Sequence, residues 1–482
     1  MSSDERTILQ DHEQLNEGTP EENDVHIDIS EAIEGAGYGC GTFLYQIGTI
    51  LFCCLEGAEI VILTVVGPML RCEWNLSSFQ LSVLQTSTVV AMMVAGAISS
   101  PLGDSVGRKP LALTAAIGTV IVGILCAFAR AYWQFIILRC LIGVFIGIGI
   151  VPALVWSGET MPKKLRAMAF SQSSLAWGIG SSIGAAIAYF VLPSYGWRGL
   201  ILAIALIFSP TVIFMMVINE SPRYDYYQGH YLKAKKTLES IYRLNGKGKV
   251  EIKLKYLESD SSETATGSRL TVARVYNELK ASDNISNTFL FVLLVSTTFF
   301  TYYLYAYATP RILNEGYCTD KVVSFKDSCV FEKDILFDLG LINLSEPAGV
   351  LVTLLLLETS LGRRTTFLGS GIIIILLVIP LYVCVGESFL FWFILLVRMA
   401  IASICLSPTT LTGEYMPTLI RAFLMNIVGV FGRASGALAI FCTEYIVNMG
   451  PRVVFSVIQG LTIISFATLV ALKRETRDQN LL

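Results

Sequence analysis

Runs of about 20 apolar residues, separated by short polar breaks, constrain this chain more than any other feature. Twelve such runs can be counted, near 46–70, 82–102, 111–129, 133–156, 168–191, 199–218, 288–309, 335–357, 366–386, 389–411, 420–443 and 453–472. An α-helix rises 1.5 Å per residue, so each run is long enough to cross the roughly 30 Å hydrocarbon core of a bilayer. Composition agrees: of 482 residues, 54% are hydrophobic and 15% charged, against roughly 25% charged in soluble proteins. A soluble enzyme, a DNA-binding protein and a disordered scaffold are disfavoured together. A net charge of -3 gives no reason to expect nucleic acid as a partner. The expectation is an all-α membrane protein whose lipid-facing surface is the bilayer's own partner.

The basic residues orient the spans. On the side that would hold both termini and the long polar segment after the sixth run there are 24 Lys and Arg, against eight on the other side. The positive-inside rule therefore places both termini in the cytosol. The expected organisation is an acidic tail (1–45), a first six-helix bundle (46–219), a cytosolic linker (220–287), a second six-helix bundle (288–472) and a short cytosolic tail (473–482). The first 34 residues carry eleven acids against Arg6 alone, which reads as a disordered tail. The basic stretch Lys233, Lys235, Lys236 and Arg243 reads first as a solvated cytosolic bundle, with contact to anionic lipid as the alternative.

The chain also repeats itself. Gly107-Arg108-Lys109 recurs as Gly362-Arg363-Arg364, and Glu159-Thr-Met-Pro162 with Arg166 recurs as Glu414-Tyr-Met-Pro417 with Arg421, both 255 residues later. Two unrelated motifs with one offset point to a duplicated six-helix unit. Such pseudo-symmetric bundles clasp a ligand site near the membrane midplane.

With these motifs in place, the chain resembles the major facilitator superfamily. Its cytosolic signature, an acid followed by Gly-Arg-Lys, is matched by Asp104, Gly107, Arg108 and Lys109, and again by Glu358, Gly362, Arg363 and Arg364. Within the superfamily the chain is similar to the synaptic vesicle two-related proteins, through Cys72-Glu73-Trp74, Gly196-Trp197-Arg198, Glu220-Ser221-Pro222-Arg223-Tyr224-Asp225 and Leu344-Ser345-Glu346. The resemblance implies two pseudo-symmetric six-helix bundles, secondary transport by alternating access, and a vesicle membrane, with the plasma membrane second.

Charges inside the spans are the candidate site. An ionised side chain at the bilayer centre costs about 2.5–3.5 kcal/mol on insertion scales, so each needs a partner or a water-filled cavity. Span one carries Glu56 and Glu59 on one face, span four Arg139, span eight Glu346, span ten Arg398 and span eleven Arg433. The segment around Glu59 resembles that of proton-coupled sugar porters, which implies a pair of Glu59 with Arg139 that loads and releases a proton; a static ion pair is the other reading. Arg433 matches a span-eleven arginine of organic anion transporters, which implies an organic anion or zwitterion. Glu56 and Glu346 could instead receive an amine, or act as partners of Arg433. Of the span-seven aromatics, Tyr303 is singled out by spacing, and Trp177 in span five by its match to a tryptophan of the synaptic vesicle two family's drug pocket.

Asp104, at a neighbouring helix N-terminus, can accept backbone donors there. Arg108 and Arg166 can pair with Glu159, and Arg363 and Arg421 with Glu414; together with Glu358 these residues are the expected cytosolic gate. Cys318 and Cys329 can bridge in an oxidising outer loop, with Cys72 as an alternative partner. No cysteine or histidine spacing suggests a metal, no cofactor is expected, and no nucleophile–base set suggests an enzyme. The expected function is proton-coupled symport of a small organic solute by a monomer. The rival is a transporter-shaped vesicle protein that binds a ligand or partner proteins and carries nothing.

Overall fold

The computed structural model describes residues 27–248, 252, 254–255, 284–315, 331–357, 362–382, 387–415 and 421–472; some side chains inside these helices, that of Arg166 among them, lie outside the description. The described chain is helical: α1 (Ile29–Ala36), α2 (Cys40–Glu73), α3 (Ser78–Val106), α4 (Arg108–Ala127), α5 (Tyr132–Glu159), α6 (Arg166–Ile207), α7 (Pro210–Val217), α8 (Pro222–Tyr227), α9 (Tyr231–Leu244), α10 (Asn284–Glu315), α11 (Lys333–Leu357), α12 (Gly362–Val378), α13 (Glu387–Tyr415), α14 (Arg421–Asn448) and α15 (Pro451–Ala471).

Ten of the described helical runs are long and apolar enough to cross a membrane. The longest, Ser171–Tyr227, is two legs that end at Val217, followed by the short, non-crossing α8. Its backbone leaves helical geometry at Gly196 (φ 65°, ψ -170°), a left-handed φ that glycine adopts without steric cost. Before the break α6 runs beside α2, where Gly180 meets Cys54 and Gly184 meets Ala58; after it the chain returns, so that Met215 packs at Gly48. The reversal divides that run in two, and the shorter apolar stretch Phe389–Cys405 lies in α13.

Small residues bring the helices of each bundle together. A Cβ at Gly57 would overlap the Trp177 carbonyl, and one at Gly143 the Thr88 carbonyl. Such close backbone approach is what drives helix association in lipid, where apolar surface alone supplies little. The helix starts follow ordinary capping rules. Ser77 and Gln80 form a capping box at α3, satisfying two donors that the helix cannot satisfy itself. The bundles meet along two seams, α6 with α11 and α3 with α14.

One end of the first bundle, called here the near face, carries α1, α8 and α9; the opposite end is the far face. Residues 27–36, read from composition as tail, instead fold onto this near-face structure. Ile29, Ala32, Ile33 and Ala36 supply an apolar stripe at i, i+3, i+4 and i+7, and the first three of these pack with Ala234 and Leu238 of α9. Asn245, after α9, then ties α1 to α2. It accepts from the Gly41 and Thr42 amides and donates to the carbonyls of Ala36 and Gly37. The first membrane helix accordingly starts at Cys40 rather than near 46.

Candidate functional site

Two buried ion pairs stand on either side of the seam between the bundles. In the first bundle, Arg139 of α5 donates to Glu59 of α2 at 2.6 Å, and both side chains are sealed from solvent. The guanidinium also lies over the Phe135 ring at 4.9 Å. The structure thus brings together the pair expected from the sequence. In the second bundle, Arg398 of α13 donates to Glu346 of α11 at 2.6 Å and to the Tyr302 hydroxyl at 2.9 Å, while Tyr302 of α10 donates to the other Glu346 oxygen at 2.9 Å. Ser181 of α6, in the first bundle, donates to the same carboxylate at 3.2 Å.

Glu346 therefore has Arg398 as its partner, not Arg433. Arg398 was counted among the intramembrane charges from the sequence but given no role or partner, and Tyr302 was given none either. The signal was present: Arg398 is a charge inside an apolar run, and Tyr302 neighbours the aromatic chosen for its spacing.

Between these pairs lie two charges of another kind. Glu56 of α2 and Arg433 of α14 are only half-buried. Each feels the other's field, yet no ion pair within 4.0 Å or hydrogen bond to either is present among the described residues. Arg433 reaches across the seam: a methyl at Gly96 of α3 would stand 3.5 Å from its Nη1. Glycine there leaves the guanidinium room against the opposite bundle.

Aromatic side chains lie near these two charges, and Tyr303 feels the field of both. Trp177 packs against Tyr302 with ring centroids 5.1 Å apart, and Tyr303 lies edge-on to Tyr302 at 5.4 Å. Tyr303 rests on Gly436, where any Cβ would overlap its ring. The structure thus gathers Glu56, Trp177, Tyr303 and Arg433 at the seam, with Glu346 joined to them through Tyr302.

The two ends of the seam differ. At the far face Glu444 of α14, buried, accepts from Arg71 of α2 at 3.2 Å and from Arg311 of α10 at 2.8 Å. Phe79 and Phe441 meet beside them, 6.0 Å apart. This ion pair crosses between the bundles. Nearby Glu73 accepts from the Trp197 indole and from Arg198, bracing the first bundle internally. Cys72 is disulfide-bonded, and Cys318 and Cys329 both lie outside the described residues.

At the near face, Arg108 pairs with Asp104 at 2.9 Å and with Glu159 at 3.3 Å, and stacks over Tyr224. Both acids belong to the first bundle, so these pairs brace that bundle rather than cross the seam. The acid that caps α4 is also not the one expected. Asp104 is exposed and engaged with Arg108, whereas both Glu220 oxygens accept from the Lys109 amide, at 3.1 and 3.0 Å. A Cβ at Gly107 would strike the Glu220 carboxylate, and its φ of 111° suits glycine alone. Burial pushes the Glu220 carboxyl above its ordinary range. Glu358 lies outside the described residues, as do the side chains of Arg166, Arg363, Glu414 and Arg421.

Comparison with known proteins agrees with this architecture. The profile of the family described as Sugar (and other) transporter matches residues 38–481. The Synaptic vesicle 2-related protein of Rattus norvegicus is 28% identical over 469 residues, covering 94% of this chain and 82% of that protein. Organic cation/carnitine transporter 7 of Arabidopsis thaliana is 35% identical over 222 residues, 45% of this chain and 43% of the relative. Among solved structures, the inward-open conformation of the xylose transporter XylE from E. coli superposes with a TM-score of 0.69 at 15% identity, covering 91% of this chain and 98% of that one. At that identity the likeness speaks to the fold. The chain is an integral, multi-pass membrane transporter and belongs to the sugar (and other) transporter family of the major facilitator superfamily.

Proposed function

We propose that this chain carries a small organic solute by alternating access of one central site, and that the solute is an organic anion or zwitterion. The observation that carries this reading is the contrast among the intramembrane charges. Glu59–Arg139 and Glu346–Arg398 are closed pairs, whereas Glu56 and Arg433 stand half-buried on opposite bundles and unbonded among the described residues. A charge left without a bond at that depth is costly, and a ligand carboxylate at Arg433 would offset the cost through charge-assisted hydrogen bonds. An ammonium at Glu56 would do the same for a zwitterion. Trp177 and Tyr303 then hold the solute's apolar body.

In this reading Glu59–Arg139 couples transport to protons. The two side chains meet at 2.6 Å, and separation of the pair during the conformational cycle is the proposed step at which a proton is exchanged. The near face is cytosolic; there Asp104, Arg108 and Glu159 brace the first bundle, and the proposed gate closes when this cluster, with Arg166, meets its counterparts Glu358, Arg363, Glu414 and Arg421 on the second bundle. A vesicle membrane is the proposed location and a monomer the working unit.

A thermal-shift screen of small carboxylates, amines and amino acids on wild type and Arg433→Ala tests the substrate class. A carboxylate that stabilises wild type and not the variant supports an anion or zwitterion. Stabilisation by amines alone, unchanged in the variant, overturns it.

A further inference from the structure

The near-face helix α9 has two unlike sides. Ala234, Thr237, Leu238 and Ile241 are buried, and Ala234 and Leu238 pack against α1. Lys233, Lys236 and Arg243 are exposed and, at 3.6 residues per turn, fall within about 80° of arc away from the buried side. Their side chains make no ion pair or hydrogen bond among the described residues. Glu239, the one acid of the helix, pairs instead with Lys235 at 3.8 Å, and Lys233 only shares a field with the Asp225 carboxyl of α8. The result is a stripe of one sign of charge with no partner of its own.

The end of α9 fixes where the stripe stands. A Cβ at Gly41 would strike the Leu244 side chain, and Asn245 accepts from the Gly41 and Thr42 amides. Arg243 is therefore level with the first turn of α2, where the first membrane helix begins. Tyr38, Phe43 and Leu244 are left exposed around that level, and such apolar and amphipathic side chains suit the boundary between headgroups and acyl chains. Lys233 is ten residues from Arg243, or about 15 Å of helix. A headgroup layer is roughly 5–7 Å deep, and an anionic surface is felt about 8 Å beyond it at physiological salt. The whole stripe is thus within reach of the surface even if α9 stands upright.

We infer that this side of α9 docks on anionic phospholipid headgroups of the surrounding leaflet, with Lys233, Lys236 and Arg243 meeting the headgroup charges and Leu244 reaching toward the acyl chains. A zwitterionic headgroup has no net charge to match the stripe, so the surface selects anionic lipid, by about fivefold for each basic residue. The choice of leaflet rests on the near face being cytosolic, as proposed above; the docking itself requires neither a solute nor flux.

Amide exchange on the full-length chain in lipid nanodiscs tests it, with phosphatidylcholine alone or mixed with phosphatidylserine. Nanodiscs present the lipid on both sides, so the result does not depend on orientation. Phosphatidylserine should slow exchange in α9 at least about fivefold, the worth of one such charge. Lys233→Gln/Lys236→Gln/Arg243→Gln should lose the slowing, whereas Lys235→Gln, off the stripe, should keep it. Raised salt should remove the slowing from the native chain as well, which serves if the triple variant does not fold. Soluble glycerophosphoserine should have no effect. An unchanged rate with phosphatidylserine, or slowing that survives in the triple variant or at high salt, overturns the inference. So does equal slowing by glycerophosphoserine, which would make the surface a site for a free phosphate ester. Faster exchange of the triple variant in phosphatidylcholine alone, with no further response to phosphatidylserine in the native chain, would give the stripe to an acidic stretch of this chain instead.

Discussion

Glu444 and Arg71 join the two bundles at the far face, 3.2 Å apart, with Arg311 completing the bridge at 2.8 Å. A buried acid shared by two guanidiniums resists separation, because opening strands a charge in a poorly solvated seam. Glu444→Gln should weaken that closure. A loss of 1–2 kcal/mol changes an equilibrium roughly 5- to 30-fold, so a cysteine placed at Ala185 in the seam should react faster by about that factor with an impermeant maleimide applied from the far face. Arg71→Leu should act in the same direction. An unchanged rate in both variants would mean that the bridge does not hold the seam.

The Glu59–Arg139 pair makes opposite demands on its two partners. Arg139→Gln leaves a sealed carboxylate uncompensated and should cost about 3–5 kcal/mol of stability. Glu59→Gln should fold as a neutral partner and abolish proton-driven accumulation while sparing solute exchange. Measuring uptake with and without an imposed pH gradient distinguishes the two. Accumulation that survives in Glu59→Gln would leave the pair as a static brace.

Asn245 holds the α1 segment by hydrogen bonds to four backbone groups. Unmet buried groups cost about 1–3 kcal/mol each. Asn245→Ala should release residues 27–39 from α9, seen as faster proteolytic cleavage before Cys40 with the membrane bundles intact. Equal cleavage of wild type and variant would contradict the clasp.

Asp225 gives the near-face helices a pH response. It lies in α8, outside the membrane-crossing legs, where burial pushes its carboxyl up to about 6 despite Lys233 nearby. Glu220, whose carboxyl shares its field, and the His230 imidazole, 3.8 Å away, also face it. Between the ordinary carboxyl value near 4 and 6, the folded chain keeps a proton that the unfolded chain has lost. Folding is therefore favoured on the acid side, and this contribution is lost as pH rises through 6. Asp225→Asn should slow local amide exchange in α8 and α9 most above pH 6 and have no effect below pH 4. A benefit confined to acid would reverse the assignment.

The fold was legible where one physical demand acts on many residues. Crossing a bilayer requires apolar length, and the apolar runs supply it whatever their neighbours. The Glu59–Arg139 pair was legible because the segment around Glu59 resembles that of proton-coupled sugar porters, which implied its partner. Partnership in the second bundle was not, since the sequence names charges without saying which helices face each other. Arg398 stands 16 residues before Glu414, whereas Arg139 stands 20 before Glu159. The repeat is therefore displaced by about one helical turn, and the acid comes from α11 rather than from the counterpart of α2. The Ile29–Ala36 helix escaped notice for another reason: its four apolar residues are diluted by acids, and only their spacing reveals a buried face. Asp104 looked like the cap of α4 by proximity, but Glu220, 111 residues from Lys109, occupies that position in space.

Flux through purified protein tests the account most directly. Wild type in liposomes, loaded with a carboxylate that stabilises it, should exchange that solute across the bilayer and accumulate it under an inward proton gradient, while Arg433→Ala should lose at least tenfold in rate. Binding of the same solute with no exchange above protein-free liposomes would contradict transport.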